Sequence, residues 1–135
     1  MTQINPYLNF NGNCREAMMF YRECLGGELN LQTIGESPIS DQMSDEIKDR
    51  ILHAGLTKDG HLLLMGSDMM GSSLIAGNSV TLSINCRSEE DIRRFFSTLA
   101  EGGQIKDPLS DMFWGALFGS LTDKFGLSWV LNYSR

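Results

Sequence analysis

Hydrophobic and polar residues alternate at the start of the chain, and the spacing then changes to that of a helix. The stretch INPYLNF (residues 4–10) alternates strictly, which is typical of a strand with one buried face. The apolar face of this strand would consist of Ile4, Pro6, Leu8 and Phe10. In residues 14–25 apolar side chains recur every three or four positions, and the pair Gly26-Gly27 follows them. The pattern predicts a strand, a turn at Gly12-Asn13 and a helix.

Three further strands are predicted in the first half of the chain. The first is ELNLQTI (28–34). The other two, RILHAGLT (50–57) and LLLMGS (62–67), form a hairpin across the turn KDGH. The polar segment between the strand 28–34 and the hairpin, residues 35–49, contains Gly, Pro and Ser. It predicts a loop with one short helical turn.

The same order of elements repeats after the Gly- and Ser-rich segment 68–78. The stretch SVTLSINC (79–86) alternates, with Val80, Leu82 and Ile84 on its apolar face. Residues 88–103 predict a helix with Ser88 as its N-cap and a second Gly pair at its end. Three strands follow at 104–110, 115–122 and 127–133, and the turn DKFG joins the last two.

This internal repeat predicts one domain, residues 1–135, of the α+β class. It consists of two βαβββ modules: module 1 covers about residues 1–70, a linker about 69–78, and module 2 residues 79–135. Each module is too small to bury the helix-facing surface of its sheet alone. We therefore expect the modules to pair into a cup-shaped mixed sheet, whose concave face is free to hold a ligand.

Composition and charge narrow the class of partner. The net charge of −6 at pH 7 argues against nucleic acid or an anionic membrane as the main partner. No apolar run has the length of a membrane span and no export signal opens the chain, so we expect a cytoplasmic protein. Cys14, Cys24 and Cys86 form no CxxC motif and are expected to be free thiols.

The opening NPYLNFNGNCREAMMFYRECLGGEL, the ending WGALFGSLTDKFGLSW and His53 in RILHAGL together resemble the vicinal oxygen chelate superfamily. Its members include relatives of glyoxalase I and of bleomycin- and fosfomycin-resistance proteins, and this chain looks most like the PhnB-like branch. The resemblance implies a glyoxalase-like fold that usually pairs into a homodimer. In the metal-using relatives, His or Glu side chains on the first, fourth, fifth and eighth strands hold one divalent metal, which stabilises an oxyanion or enediolate.

The resemblance also implies where metal ligands would stand in this sequence. The matching positions, strand by strand, are Tyr7, then Met65 or Leu63, then Ser79 or Thr81, and Val130. None of these is a strong ligand for a divalent metal. We therefore expect no metal at these positions and no other cofactor.

Strand parity assigns polar and aromatic side chains to the open face of the cup, where a small, partly aromatic molecule could bind. The predicted ligand-binding residues are Tyr7, Asn9, His53, Met65, Ser79, Thr81, Trp114, Phe118, Val130 and Asn132. Asp107 and Asp111 flank a strand end and could reach the rim of this pocket. The first hypothesis is a small-molecule-binding protein that lacks the usual metal site and binds its ligand as a homodimer.

Two catalytic hypotheses stay open beside it. One is a metal-dependent lyase, isomerase or dioxygenase with an altered site, built from His53, a loop acid such as Asp111, and water. The other is acid–base chemistry without a metal, in which His53 is the base and Tyr7 donates a hydrogen bond. The sequence names neither the ligand nor the reaction.

Overall fold

The computed structural model of the chain describes residues 2–39, 41, 44–69 and 73–135. The chain forms two compact units, Met1–Leu74 and Ile75–Arg135. The first unit contains the elements β1 (Tyr7–Phe10), α1 (Cys14–Leu25), β2 (Glu28–Thr33), α2 (Asp45–Lys48), β3 (Ile51–Lys58) and β4 (His61–Asp68). The second unit contains β5 (Leu82–Asn85), α3 (Glu89–Leu99), β6 (Gln104–Asp111), β7 (Ala116–Thr122) and β8 (Ser128–Ser134).

Each unit contains one four-stranded mixed sheet of the same topology. The strand order is β1-β4-β3-β2 in the first unit and β5-β8-β7-β6 in the second. In each, the first strand runs parallel to the last, and the other pairs are antiparallel. The predicted α+β fold of two βαβββ modules is therefore confirmed, with a 3₁₀ turn at Ile34–Glu36 and the short α2 in the segment predicted as a loop.

Helix α1 covers one face of the first sheet. A Cβ on Gly66 would meet the Phe10 ring and the Cys14 sulfur, so Gly66 faces the helix. Leu8, Leu56 and Leu64 are buried on the same side of their strands. By alternation, the other face presents Tyr7, Asn9, Asn30, Gln32, His53, Gly55, Thr57, Met65 and Ser67. This set is called the open face of the first sheet.

Helix α3 covers one face of the second sheet in the same way. Gly119 lies beneath Phe96 of α3, and Leu121 and Trp129 are buried on that side. The opposite face presents Ser83, Asn85, Asp107, Phe118, Ser120, Val130 and Asn132, and is called the open face of the second sheet. The parity predicted for β7 and β8 is the one observed.

Strand β6 forms one edge of the second sheet and is irregular. Its register against β7 shifts between Ile105 and Asp107, and again between Asp107 and Ser110. Most of the strand is exposed. The two shifts leave the Asp107 side chain beside Ser120, which places a carboxylate on the open face of the second sheet.

Two local structures, a helix cap and a hairpin turn, are found where the sequence predicted them. Ser88 caps α3, since its hydroxyl accepts a hydrogen bond from Asp91 N at 3.1 Å. The hairpin between β3 and β4 turns at Asp59 and Gly60, both at positive φ, which is the backbone conformation that a two-residue hairpin turn requires.

Two predicted strands are shorter than the alternation suggested. The first begins at Tyr7 rather than Ile4, and Ile4 is 98% exposed instead of sharing a buried face. The fifth begins at Leu82, because Leu82 pairs with Trp129 near the start of β8 and earlier residues have little strand beside them. Val80 is accordingly 74% exposed. Alternation in the sequence continues beyond the point where a partner strand ends.

The helices of the described residues are all too short or too polar to cross a membrane. Cys14 and Cys86 are free thiols, as expected.

Two strand glycines give a direct test of the face assignment. A Cβ at Gly119 would lie 2.7 Å from Phe96 and 2.9 Å from Leu109, whereas a Cβ at Gly55 would meet nothing closer than Leu62 at 3.7 Å. We expect Gly119→Ala to lower the free energy of unfolding by about 2 kcal/mol through overpacking. The matched variant Gly55→Ala should change it by less than about 0.5 kcal/mol. Urea denaturation measures both, and equal losses would show that the two faces are assigned wrongly.

Candidate functional site

A row of four paired residues crosses the open face of the first sheet. Tyr7 on β1 pairs with Met65 on β4, which pairs with Gly55 on β3, and Gly55 pairs with Asn30 on β2. Gly55 contributes no side chain, so the row is low at its centre. The half-buried Met65 lies between the aromatic ring of Tyr7 and this gap.

Tyr7 and His53 come together on this face. The Tyr7 hydroxyl lies 3.4 Å from His53 Nδ1, where it can donate to a neutral imidazole, and the ring centroids are 5.9 Å apart. Tyr7 is on the edge strand β1 and His53 on β3, so the two side chains reach across β4. Asn9 lies on the same face of β1 and pairs with Ser67. These residues give a small polar cluster beside the thioether of Met65.

Two rows cross the open face of the second sheet. In the first, Ser83 pairs with Val130, Val130 with Ser120, and Ser120 with Asp107. The buried Ser120 hydroxyl donates a hydrogen bond to Asp107 Oδ2 at 2.6 Å. The second row, one step along the strands, consists of Asn85, Asn132, Phe118 and Ser110.

Three aromatic rings lie at the β6–β7 end of the second sheet. The Trp114 ring is 5.0 Å from the Phe113 ring and 6.1 Å from the Phe118 ring, edge-on in both cases. Phe113 is 97% exposed and Trp114 55% exposed. Because Phe118 points to the open face, its contact with Trp114 places the indole along the same face.

The positions that would carry metal ligands do not fit a divalent metal. Tyr7 and Met65 form one directly paired couple in the first unit, and Ser83 and Val130 form the corresponding couple in the second. Neither a phenol beside a thioether, in the first unit, nor an alcohol beside an alkyl group, in the second, provides good ligands for such an ion. In the part of the chain that the structure describes, no three His, Cys, Asp or Glu side chains are grouped closely enough to hold a metal.

Two predicted positions on the fifth strand need correction. Ser79 and Thr81 precede β5 and are exposed. Because they lie outside the strand, its alternation does not determine which way their side chains point. The residue of β5 that pairs with Val130 is Ser83. Sequence reasoning did not select Ser83 and Asn85 as ligand-binding residues because it began the strand too early. The alternation itself carried the signal, since both share the parity of Ser79 and Thr81.

The acid proposed for an altered metal site is also placed differently. Asp111 is the last residue of β6, not a loop residue, and its carboxylate accepts a hydrogen bond from Arg135 Nε at 2.8 Å. Arg135 donates in addition to Glu89 on α3 at 2.8 Å. Hydrogen bonds from Arg93 and Arg135 lower the pKa of Glu89. Asp111 is thus part of an ion-pair network that links the C-terminus to α3.

Cys14 and Cys86 are poor candidates for a nucleophile. Burial, together with the charge of Asp68, raises the pKa of Cys14 to about 12. Burial and Asp91 raise the pKa of Cys86 to about 11. Both thiols are therefore protonated at neutral pH, whereas a nucleophilic cysteine needs its thiolate.

An open cleft of about 450 Å³ lies elsewhere in the first unit. Its lining consists of Gln3, Ile4, Asn5, Gly60, His61 and Leu62. His61 is exposed at the start of β4, as predicted for a residue of the hairpin turn. None of the predicted ligand-binding residues lines this cleft.

Comparisons with known proteins agree with this fold. The family model of the glyoxalase/bleomycin resistance protein/dioxygenase superfamily matches residues 3–131. The chain is 36% identical to protein YjdN of Escherichia coli K12, over 96% of this chain and 93% of that protein. The crystal structure of protein PA1353 from Pseudomonas aeruginosa matches with a TM-score of 0.88 and 40% identity, over 99% of this chain and 98% of that one.

A PhnB protein from Bacillus cereus matches with a TM-score of 0.77 and 28% identity, over 98% of this chain and all of that one. The resemblance to PhnB-like proteins read from the sequence is confirmed by this match. With a family model that covers nearly the whole sequence, the chain belongs to the glyoxalase/bleomycin resistance protein/dioxygenase superfamily.

Proposed function

We propose that this protein binds a small organic molecule on the open faces of its sheets, without the divalent metal that its chelating relatives use. The observation that carries the proposal is the donor set at the ligand positions. The resemblance implies His or Glu on these strands in the metal-using relatives, whereas this chain pairs Tyr7 with Met65 and Ser83 with Val130 there. These side chains suit contact with an organic ligand better than coordination of a divalent metal.

The remaining side chains of the open faces support a binding role. These faces combine hydroxyl, amide and imidazole groups with the apolar side chains of Met65, Phe118 and Trp114. Ligand sites commonly combine apolar walls, which supply burial, with a few polar groups that fix orientation. Tyr7, Asn9, His53, Met65, Trp114, Phe118, Val130 and Asn132 are the proposed ligand contacts, with Ser83 and Asn85 added from the register of β5.

Metal analysis and a ligand screen test this function together. We expect protein purified without chelators to hold substoichiometric Ni, Mn, Zn and Fe, and its melting temperature to be unmoved by adding these ions. A bound ligand at about 100 times its Kd should stabilise the protein by about 2.7 kcal/mol, which raises the melting temperature by several degrees. The screen uses thermal shift with aromatic and antibiotic-like compounds.

The outcomes separate the competing functions. Stoichiometric metal that raises the melting temperature would contradict the proposal and favour a lyase, isomerase or dioxygenase with an altered site. A screen in which no compound stabilises the protein would remove the main support for a binding role.

The assembly and location remain proposals. We propose that the protein is cytoplasmic and, on the strength of the family resemblance, that it forms a homodimer. Multi-angle light scattering of the purified protein would report its mass in solution.

A further inference from the structure

We propose that the open face of the second sheet selects organic cations, namely an amine carried on a flat aromatic group. The proposed contacts are Asp107 for the ammonium group, and Trp114 and Phe118 for the aromatic group. This inference rests on the proposed small-molecule-binding function and names the class of ligand.

The charge on this face is the first argument. Among the described residues that the strand register pairs on the open face of the second sheet, Asp107 is the charged one. Its Oδ2 accepts from Ser120, and among the described residues no ion pair involves it. The basic residue Arg135 is instead held at Asp111 and Glu89. One carboxylate oxygen of Asp107 is thus available to a cation.

The rings beside this carboxylate are the second argument. Phe118 is two residues from Ser120 along β7 on the same face, about 7 Å away, since a strand advances about 3.4 Å per residue. The Trp114 ring continues the aromatic surface 6.1 Å beyond Phe118. Aromatic faces attract cations as well as other rings. An arylalkylamine spans this distance, with its ring on the aromatic pair and its nitrogen at Asp107.

The overall charge of the protein favours the same class. A net charge of −6 attracts a cation and repels an anion before contact. An anionic ligand would in addition bring its charge next to Asp107, which costs free energy. The structure therefore favours an amine over a carboxylate or phosphonate of the same shape.

Three indoles of matched size test this selectivity. Tryptamine is a cation at neutral pH, indole-3-ethanol is uncharged, and indole-3-acetate is an anion. We expect tryptamine to bind about fivefold more tightly than indole-3-ethanol, as expected for an exposed ion pair with a cation–π contact. Indole-3-acetate should bind most weakly. Titrations followed by the amide NMR signals of Phe118 and Ser120 give both the affinity and the location.

Variants of the full-length protein locate the source of the preference. Asp107→Asn keeps a hydrogen-bond acceptor for Ser120 and should abolish the preference for tryptamine over indole-3-ethanol. Glu101→Gln removes the same charge from the exposed turn after α3 and should leave the preference intact. Trp114→Ala should weaken the binding of all three indoles. Unchanged melting temperatures would show that the variants are folded.

Three results would each overturn the cation proposal. They are equal binding of the amine and the alcohol, an Asp107→Asn protein that keeps the preference, and no binding of tryptamine. If tryptamine fails while another compound of the thermal-shift screen binds, the binding function stands and only the ligand class is wrong.

Discussion

Replacing Asp68 with alanine should lower the free energy of unfolding by about 3 kcal/mol or more. The buried Asp68 carboxylate accepts hydrogen bonds from Gly12 N at 2.8 Å and Cys14 N at 3.0 Å through Oδ1, and from Ile51 N at 2.9 Å through Oδ2. It thereby ties the β1–α1 turn to the start of β3. Without it, these N–H groups lose their partner, and a buried donor without a partner costs about 1–3 kcal/mol.

Urea denaturation measures this loss, and two variants control for it. Asp68→Asn keeps one acceptor oxygen and should lose about half as much. Asp45→Ala removes an equal charge from an exposed ion pair with Lys48 and should cost less than about 1 kcal/mol. If Asp68→Ala and Asp45→Ala lose the same amount, the Asp68 carboxylate does not stabilise the fold.

Asp123→Ala should lower the free energy of unfolding by a similar amount, about 3 kcal/mol. Asp123 Oδ1 accepts from Phe125 N at 2.8 Å and Leu127 N at 3.1 Å, so it organises the β7–β8 turn. Its Oδ2 accepts from Trp129 Nε1 at 2.8 Å, beneath the sheet where both residues are buried. One carboxylate thus holds both the turn and the orientation of the indole.

A double-mutant cycle separates these two roles. Trp129→Phe removes the indole N–H. The loss caused by Asp123→Ala is measured in the unsubstituted protein and again in the Trp129→Phe variant, and the difference between the two losses gives the coupling free energy. We expect a coupling of about 1.5–3 kcal/mol, as for a hydrogen bond to a charged group. Additive losses would mean that Asp123 acts on the turn alone.

Local patterns predicted most of the fold because each element carried its own signal. Alternation in LSWVLNY assigned Val130 to the open face, next to the buried Trp129, and Ser88 marked the start of α3. The errors at Ile4 and Val80 have one cause. Alternation reports that a residue could pair in a strand, but pairing also needs a neighbouring strand of sufficient length, which is a tertiary property.

The candidate site was less accessible to sequence reasoning. Parity alone placed His53 on the open face, but its proximity to the Tyr7 hydroxyl depends on the strand order β1-β4-β3, which alternation does not give. The register of β5 pairs Val130 with Ser83, whereas alternation alone pointed to Ser79 or Thr81. The contact between Asp107 and Ser120 depends on register shifts in β6, which alternation does not give. Pro108 indicates an edge or a bulge in this stretch but not which residue faces Ser120.

The irregular β6 has a consequence for the behaviour of the protein in concentrated solution. A regular, exposed edge strand can pair with an edge of another molecule and begin a continuous sheet. Here Pro108 offers no N–H, Lys106 and Asp107 add charge, and the two register shifts break the row of free backbone groups. The distortion that brings Asp107 to Ser120 therefore also protects the second unit from growing into aggregates along this edge.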